Sequence, residues 1–288
     1  MFHVLYNPYA GNNKGEENAK KLCSITDEEL KFHDMTKVDY KAFLSEIGAD
    51  EKLLIAGGDG TLNRFVNDTD EILGERDVYY FATGSGNDFM REVGGKNEIV
   101  NVSRYLKNLP SVEVNGKKYK FINGIGYGID GYCCEVGDKM REEAVKDINY
   151  TSIAIKGLLF HYHPTNATVT VDGRKHTYKK VWLAPTMNGK YYGGGMIPTP
   201  GQNRISEDRT VSTMVYYGVG KLKALTVFPS IFKGEHVSHK DMVDVMSGHE
   251  ITVEFDKPTP LQIDGETILG VTKYTVISKV KAKQEALA

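Results

Sequence analysis

The stretch LLIAGGDGTLNRFVND, Leu53 to Asp68, decides the fold. Leu53 to Ala56 read as a buried strand, Gly57, Gly58, Asp59, Gly60 and Thr61 as a tight turn, and the apolar residues that follow have helical spacing. A strand that ends in a glycine-rich turn and opens a helix offers unsatisfied backbone N–H groups and the positive end of the helix dipole, which together suit a phosphate. Glycine lets the backbone approach an anion, and Thr61 can cap the helix or bond a phosphate oxygen. Asp59 is the odd member, since a carboxylate repels phosphates unless a cation lies between them. It points to Mg2+ or to proton transfer. The plainer alternative is a turn in which Asp59 caps its own helix.

Two further turns share this grammar. ATGSGNDF, Ala82 to Phe89, follows an apolar strand and opens a helical segment, and NPYAG, Asn7 to Gly11, ends the first strand. Turns at one edge of a parallel sheet form a cleft at the carboxyl ends of the strands. No G-x-x-x-x-G-K-[ST] loop is present. Gly126-x-Gly128-x-x-Gly131 matches a dinucleotide fingerprint as a string, but it falls among hairpin signals and reads as turn and strand glycines.

Working outward, the first 110 residues alternate short apolar runs with helical patterns, which argues for a parallel sheet with helices on its faces. From about residue 111 the pattern becomes that of hairpins, with alternating residues around Asn115-Gly116 and Asp172-Gly173. The expected fold class is α/β plus all-β: an α/β nucleotide-binding domain over 1–118, then an antiparallel β-rich domain over 119–271. The C-terminal segment, about 272–288, is a candidate to return to the first domain.

Composition mainly excludes. With 36 basic and 38 acidic residues and a formal net charge of -2, no nucleic-acid partner is expected. The amino terminus lacks a signal-peptide pattern, and no apolar run approaches the roughly 18 residues that span a bilayer. A cytoplasmic protein is expected. The three cysteines read as reduced packing residues, and the pairs His161/His163 and His236/His239 lack a matched second pair for zinc.

NPYAG, GGDGT, TGSGNDF, NGIGYGIDG, NGKYYGGGM, KGEH and the late Gln262-Ile263-Asp264-Gly265-Glu266 occur in that order over nearly the whole chain. In this the sequence resembles the diacylglycerol kinase catalytic-domain family, particularly its soluble bacterial lipid kinases, which are related to sphingosine kinases and NAD kinases. The resemblance implies an NAD-kinase-like first domain, a β-sandwich-like second domain, and ATP-dependent phosphoryl transfer to a lipid hydroxyl, with diacylglycerol converted to phosphatidic acid. By the same resemblance Asn7, Thr36, Gly57, Gly58, Gly60, Thr61, Gly84, Ser85, Gly86 and Asn87 contact ATP, Asp59 serves the Mg2+ that accompanies it and takes part in catalysis, Asp264 is the general base, and Glu266 is a partner that orients Asp264 or helps with Mg2+. Asp130 in GYGIDG is placed near the acceptor. Read without the resemblance, Asp264-Gly265 is a hairpin turn.

Relatives often carry a D-D-G-x-x-D segment that binds a structural Mg2+. The corresponding stretch here is Glu207-Asp208-Arg209-Thr210-Val211-Ser212, which leaves Asp208 as the candidate ligand and suggests Arg209 as a built-in cation. The expected partner is a lipid at a membrane surface, met by peripheral contact at its inner face; Lys221, Lys223, Lys233 and Lys240 lie near apolar residues and suit such a contact, but the plainer reading of this stretch is a solvated face with a buried apolar side. The resemblance also implies a homodimer. Two rivals stay open: a kinase of a soluble metabolite such as NAD, and a non-catalytic nucleotide or lipid sensor.

Overall fold

The computed structural model describes residues 1–278 apart from 49, 71, 85, 86, 96, 144, 146, 147 and 149, and leaves out the side chains of 12 and 151. The chain divides into two compact units, Met1–Lys107 with Tyr191–Gly195, and Asn108–Lys190 with the chain from Met196 onward.

The first unit is built on β1 (Phe2–Tyr6), β2 (Leu30–Asp34), β3 (Lys52–Gly57), β4 (Val78–Ala82) and β5 (Val100–Asn101), in the sheet order β2-β1-β3-β4-β5. The first four run parallel and only β5 is antiparallel. In β3 every residue from Leu53 to Gly57 is buried, as expected for a parallel strand covered on both faces. Phe2, Val4, Leu54, Ala56 and Phe81 form one core with Ala19 and Leu22. The alternate residues Leu53 and Ile55 are buried as well, and helix α4 (Asp59–Thr69) packs against β3 with Leu62 and Phe65 inward. The other helices are α1 (Ala10–Asn13), α2 (Gly15–Lys20), α3 (Tyr40–Glu46), α5 (Asp88–Val93) and α6 (Ser103–Leu106). Parallel register aligns the strand ends: Tyr6 pairs with Asp34 and Ala56, and Gly57 with Ala82. The predicted turns therefore leave the sheet at one edge.

The second unit carries β6 (Ser111–Val114), β7 (Lys117–Lys120), β8 (Gly124–Tyr127), β9 (Thr165–Val171), β10 (Arg174–Val181), β11 (Thr186–Met187), β12 (Val211–Tyr216), β13 (Val243–Gly248), β14 (Glu250–Ile263) and β15 (Glu266–Ile277). Its antiparallel path is β13-β12-β11-β8-β14-β15-β6-β7, with β9 and β10 branching from β14. The two halves of β14 serve different neighbours: Ile251 to Phe255 pair with β9, and Leu261 to Ile263 with β8. Its pairing with β15 shifts register across the stretch that holds Pro258 and Pro260, where proline lacks the ladder donor. Tyr127 stacks on Phe255 at 3.9 Å between centroids, inside a core that includes Val169, Val253 and Tyr274. The turn dipeptides behave as their residue types require, with positive φ at Asn115 and Gly116, at Asp172 and Gly173, and at Asp264 and Gly265.

Three details depart from the sequence expectation. The unit boundary follows Lys107 rather than 118, because the β6–β7 hairpin joins the second sheet through pairing of β6 with β15. The described part of the C-terminal segment, 272–277, lies in β15, paired with β14 and β6. Gly126, Gly128 and Gly131 do lead from a strand into a helix, α7 (Ile129–Glu142), but the strand is antiparallel. Their glycines answer to packing: a Cβ would lie 1.5 Å from Asp130 Oδ2 at 126, 2.5 Å from the Trp182 carbonyl oxygen at 128 and 1.9 Å from that of Pro260 at 131. The unit also carries helices α8 (Tyr150–Lys156) and α9 (Lys221–Val227).

Candidate active site

In the first unit the turns after β3 and β4 meet backbone to backbone. A Cβ on Gly84 would sit 2.7 Å from Gly58 Cα, and one on Gly57 would overlap the Thr61 side chain at 2.4 Å, so glycine here permits close packing of the turns. Tyr80 Oη donates to the Gly57 carbonyl at 3.0 Å and fixes the end of β3. Thr61 is buried in the first turn of α4, whose N-cap, Gly58, has no capping side chain.

Asp59 reaches across to a second helix. Its Oδ2 accepts from the backbone N–H of Asp88 at 2.7 Å and of Phe89 at 3.3 Å, tying the start of α4 to that of α5. Asn87, left-handed at φ 41, precedes α5, and its Nδ2 donates to the Gly84 carbonyl. Asn7 Oδ1 accepts from Tyr9 N at 3.0 Å, and Thr36 bonds Asp34 Oδ1 through its N–H at 3.0 Å and its hydroxyl at 2.6 Å. Asn7, Thr36, Gly57 to Thr61, Gly84 and Asn87 thus lie along one sheet edge, whereas Ser85 and Gly86 lie outside the described residues.

Sequence reading passed over Asp88. Its Oδ2 accepts from Gly194 N at 2.7 Å, and Arg91, whose guanidinium lies 3.6 Å from Asp88 Oδ1, sits 5.6 Å from the Tyr191 ring centroid. Tyr191 and Gly194 are held to α5 by these contacts. The signal was present in the charged D-F-M-R spacing of α5, one helical turn apart.

In the second unit Asp264 stands at the β14–β15 turn, and its carboxylate accepts three backbone N–H groups: Ile122 at 2.5 Å, Asn123 at 2.8 Å and Gly124 at 3.0 Å. A hairpin needs none of these bonds. They fix a carboxylate in one orientation, as a positioned acceptor of a substrate proton requires. Beside it, Gln262 links two groups, with its Oε1 accepting from Gly265 N at 2.6 Å and its Nε2 donating to Asp130 Oδ2 at 2.8 Å. Glu266 opens β15 and is exposed.

Burial raises the Asp130 carboxyl to about 6 from 3.8, against the opposing bond from Gln262. Between those values the unfolded chain has lost a proton that the folded chain keeps, so rising pH favours unfolding, and the cost is fully present above 6. Asp130→Asn should therefore stabilise the fold at pH 7.5 by about 1–2 kcal/mol, reduced for the residue's partial exposure, and by nothing at pH 3.5. Denaturant melts at the two pH values measure this; an equal gain at both would show that ionisation is not the cause.

The segment from Glu207 to Ser212 does not fit a divalent cation. Asp208 turns its carboxylate to Thr210, accepting from N at 3.4 Å and Oγ1 at 3.2 Å, and hydrogen bonds from Ser206 and Thr210 hold it below the usual carboxylate range. Ser212 is buried, donating to Gln202 Oε1 at 2.6 Å, and Arg209 donates to the Arg204 carbonyl at 3.3 Å. Hard divalent ions take six or more oxygen ligands, and neighbouring guanidinium groups oppose them. Among the described residues no group of three His, Cys, Asp or Glu is placed to hold a metal. The donor set around Asp59 suits a different case, since Mg2+ that travels with a nucleotide needs only one or two carboxylates beside the phosphates.

Comparison with known proteins agrees with both units. Residues 123–281 match the YegS C-terminal NAD kinase beta sandwich-like domain, and residues 1–115 match the Diacylglycerol kinase catalytic domain. The chain belongs to the diacylglycerol kinase catalytic-domain family. Among relatives of this lipid kinase family, YtlR of Bacillus subtilis (strain 168), provisionally named a lipid kinase, is 27% identical over 95% of each chain. A diacylglycerol kinase of Mycobacterium tuberculosis (strain ATCC 25618 / H37Rv) is 24% identical over 72% of this chain and 67% of its own. A crystal structure of a diacylglycerol kinase from Bacillus anthracis str. Sterne has the same fold, with a TM-score of 0.63 and 19% identity over 96% of this chain and 94% of that one. The kinase thus has an α/β first unit and an NAD-kinase-like β-sandwich second unit, and among its described residues no helix is long and apolar enough to cross a membrane.

Proposed function

We propose that this kinase transfers the γ-phosphate of ATP to a lipid hydroxyl, with diacylglycerol as acceptor and phosphatidic acid as product. The observation that carries the reading is the Asp264 carboxylate, held by three N–H groups in the IDGE turn of a lipid-kinase family member. Asn7, Thr36, Gly57, Gly58, Gly60, Thr61, Gly84 and Asn87 bind the nucleotide, with backbone N–H groups of the turns donating to phosphate oxygens. Asp59 would hold the nucleotide's Mg2+, and Glu266 orients Asp264. When bound, Mg2+ offsets the charge that develops on the phosphate oxygens. Asp264 accepts the hydroxyl proton as the oxygen–phosphorus bond forms, and Asp130 lines the acceptor side.

The test is to mix the kinase, labelled MgATP, diacylglycerol vesicles and NAD, and then to partition the products between chloroform and water. Label in chloroform supports the reading. Label confined to NAD in water overturns it in favour of a soluble acceptor.

Access to the lipid is assigned to the face carrying Ile155, Phe160, Leu222 and Phe232, of which Phe160 and Leu222 are 68% and 77% exposed. Helix α9 packs against the π-helical turn Gly157–His161, which carries Phe160, and Lys221 Nζ donates to the Leu159 carbonyl at 3.0 Å. Lys156, Lys223 and Lys233 are exposed on the same elements, although Lys223 pairs with Asp241 at 2.7 Å. Apolar tips among lysines suit an anionic bilayer surface. Phe160→Asp with Leu222→Asp should weaken sedimentation with phosphatidylglycerol vesicles by about 10-fold or more, given about 0.8 kcal/mol per inserted CH2. Turnover of a short-chain, monomeric diacylglycerol should hold. Unchanged sedimentation would reject this face, and a lowered oligomeric state would assign it to a homodimer.

A further inference from the structure

Asp264 can meet a substrate in one geometry only if the turn that holds it is itself fixed. Two peptide units of that turn run from Asp264 to a second set of buried groups. In the unit joining Ile122 and Asn123, the N–H donates to Asp264 at 2.8 Å, while the carbonyl accepts from Arg204 Nη1 at 3.1 Å and Asn188 Nδ2 at 2.8 Å. In the next unit, the Gly124 N–H donates to Asp264 at 3.0 Å, while the Asn123 carbonyl accepts the N–H groups of Asn188 and Gly189, both at 2.9 Å. Arg204 Nη2 also donates to Asn123 Oδ1 at 3.0 Å. The dipole of the first unit is therefore aligned between the Asp264 anion and the Arg204 cation, an arrangement in which each bond polarises the next, and Arg204 reaches the second unit's residue through the Asn123 side chain.

Arg204 is only 5% exposed, and Asn123, Asn188 and Gln202 are buried around it. Gln202 Nε2 donates to the carbonyls of Asn188 and Thr210, both at 3.1 Å, and its Oε1 takes the Ser212 hydroxyl at 2.6 Å. A buried guanidinium is costly, and apolar replacements of buried ion networks often leave stability unharmed, so burial alone does not explain it. What it adds here is direction.

We propose that Arg204 is a positioning residue: from behind the Ile122–Gly124 turn it holds the N–H groups that aim the Asp264 carboxylate, and its fixed positive charge does so with no second divalent ion. The proposal rests on the reading of Asp264 as the proton acceptor. It differs from the sequence expectation, which looked to Arg209 for a built-in cation; Arg209 instead bonds the Arg204 main chain.

Two readouts test it. In Arg204→Met, amide hydrogen exchange at Asn123 and Gly124 should quicken by at least about tenfold while the β14–β15 ladder keeps its protection, since local opening is independent of global stability. At saturating lipid, kcat should fall by about 100-fold, the loss that a misplacement near 1 Å produces. KM for MgATP should stay within about twofold, as for an interaction made only in the transition state. Guanidinium ion should restore part of the kcat of Arg204→Ala, and calorimetry should find no stoichiometric Mg2+ binding to the nucleotide-free protein. Unchanged exchange at Asn123 and Gly124 in a folded Arg204→Met variant would overturn the clamp, as would a tight Mg2+ site without nucleotide. If exchange quickens but the wild type phosphorylates no acceptor, the clamp stands and the assignment of Asp264 as base falls.

Discussion

Asp264→Asn is expected to lower kcat by about 10²–10⁴-fold, the range over which a positioned proton acceptor acts, while MgATP binds with affinity within about twofold of wild type. The amide keeps the shape of the carboxylate and one acceptor oxygen. It replaces the other oxygen with an NH2 group, which cannot accept from Ile122 or from a substrate hydroxyl. A modest fall in stability, about 1–3 kcal/mol, should accompany the kinetic loss because one buried N–H of the 122–124 turn is left unpaired. The two effects separate cleanly. Denaturant melts report the first, and turnover on the folded fraction reports the second. Turnover near the wild-type rate in a folded Asp264→Asn protein would reduce Asp264 to a hairpin residue that happens to brace a neighbouring turn.

Asp59 carries the second large expectation, and two substitutions are needed to read it. Asp59 caps α5 through the N–H groups of Asp88 and Phe89, so Asp59→Ala should cost about 1–2 kcal/mol of stability as a lost cap and also abolish metal-nucleotide binding. Asp59→Asn retains an oxygen for those N–H groups but removes the charge. If Asp59 serves only as a cap, the asparagine variant should behave as wild type in every assay. If it holds nucleotide-borne Mg2+, that variant should keep its melting temperature yet lose about 10–100-fold in MgATP affinity, the range seen when groups supporting a bound metal are removed. Affinity for metal-free ATP should change far less, since its repulsion by the carboxylate is relieved at the same time. Fluorescence titration with and without Mg2+ distinguishes these outcomes.

Much of this was legible in the chain. The alternation of apolar runs and glycine turns over the first 110 residues is a local signal, so the parallel sheet and its shared edge follow from pattern. The Asn-Gly and Asp-Gly turns announced themselves for the same reason. Other features depend on partners far away in sequence. Nothing near Asp264 reveals that its carboxylate is seated on residues some 140 positions earlier, and nothing near Arg204 reveals that it reaches Ile122 and Asn123. Gly126, Gly128 and Gly131 read in sequence as turn and strand glycines because hairpin signals surround them; the neighbours that exclude a Cβ at 128 and 131, near Trp182 and Pro260, come from distant strands and loops. The capping of α5 by Asp59 has the same origin. Local sequence could name the carboxylate but not the helix it serves.

A lipid alcohol oriented at Asp264 is expected to receive the γ-phosphate of ATP. The most direct test offers diacylglycerol, ceramide, sphingosine and an isoprenoid alcohol in mixed micelles, with NAD in the same reaction, and identifies the phosphorylated products of wild type and Asp264→Asn by mass. Phosphatidic acid should be the main product of the wild type and should be lost in the variant. Phosphate found on NAD alone, or on nothing while MgATP still binds, would contradict this.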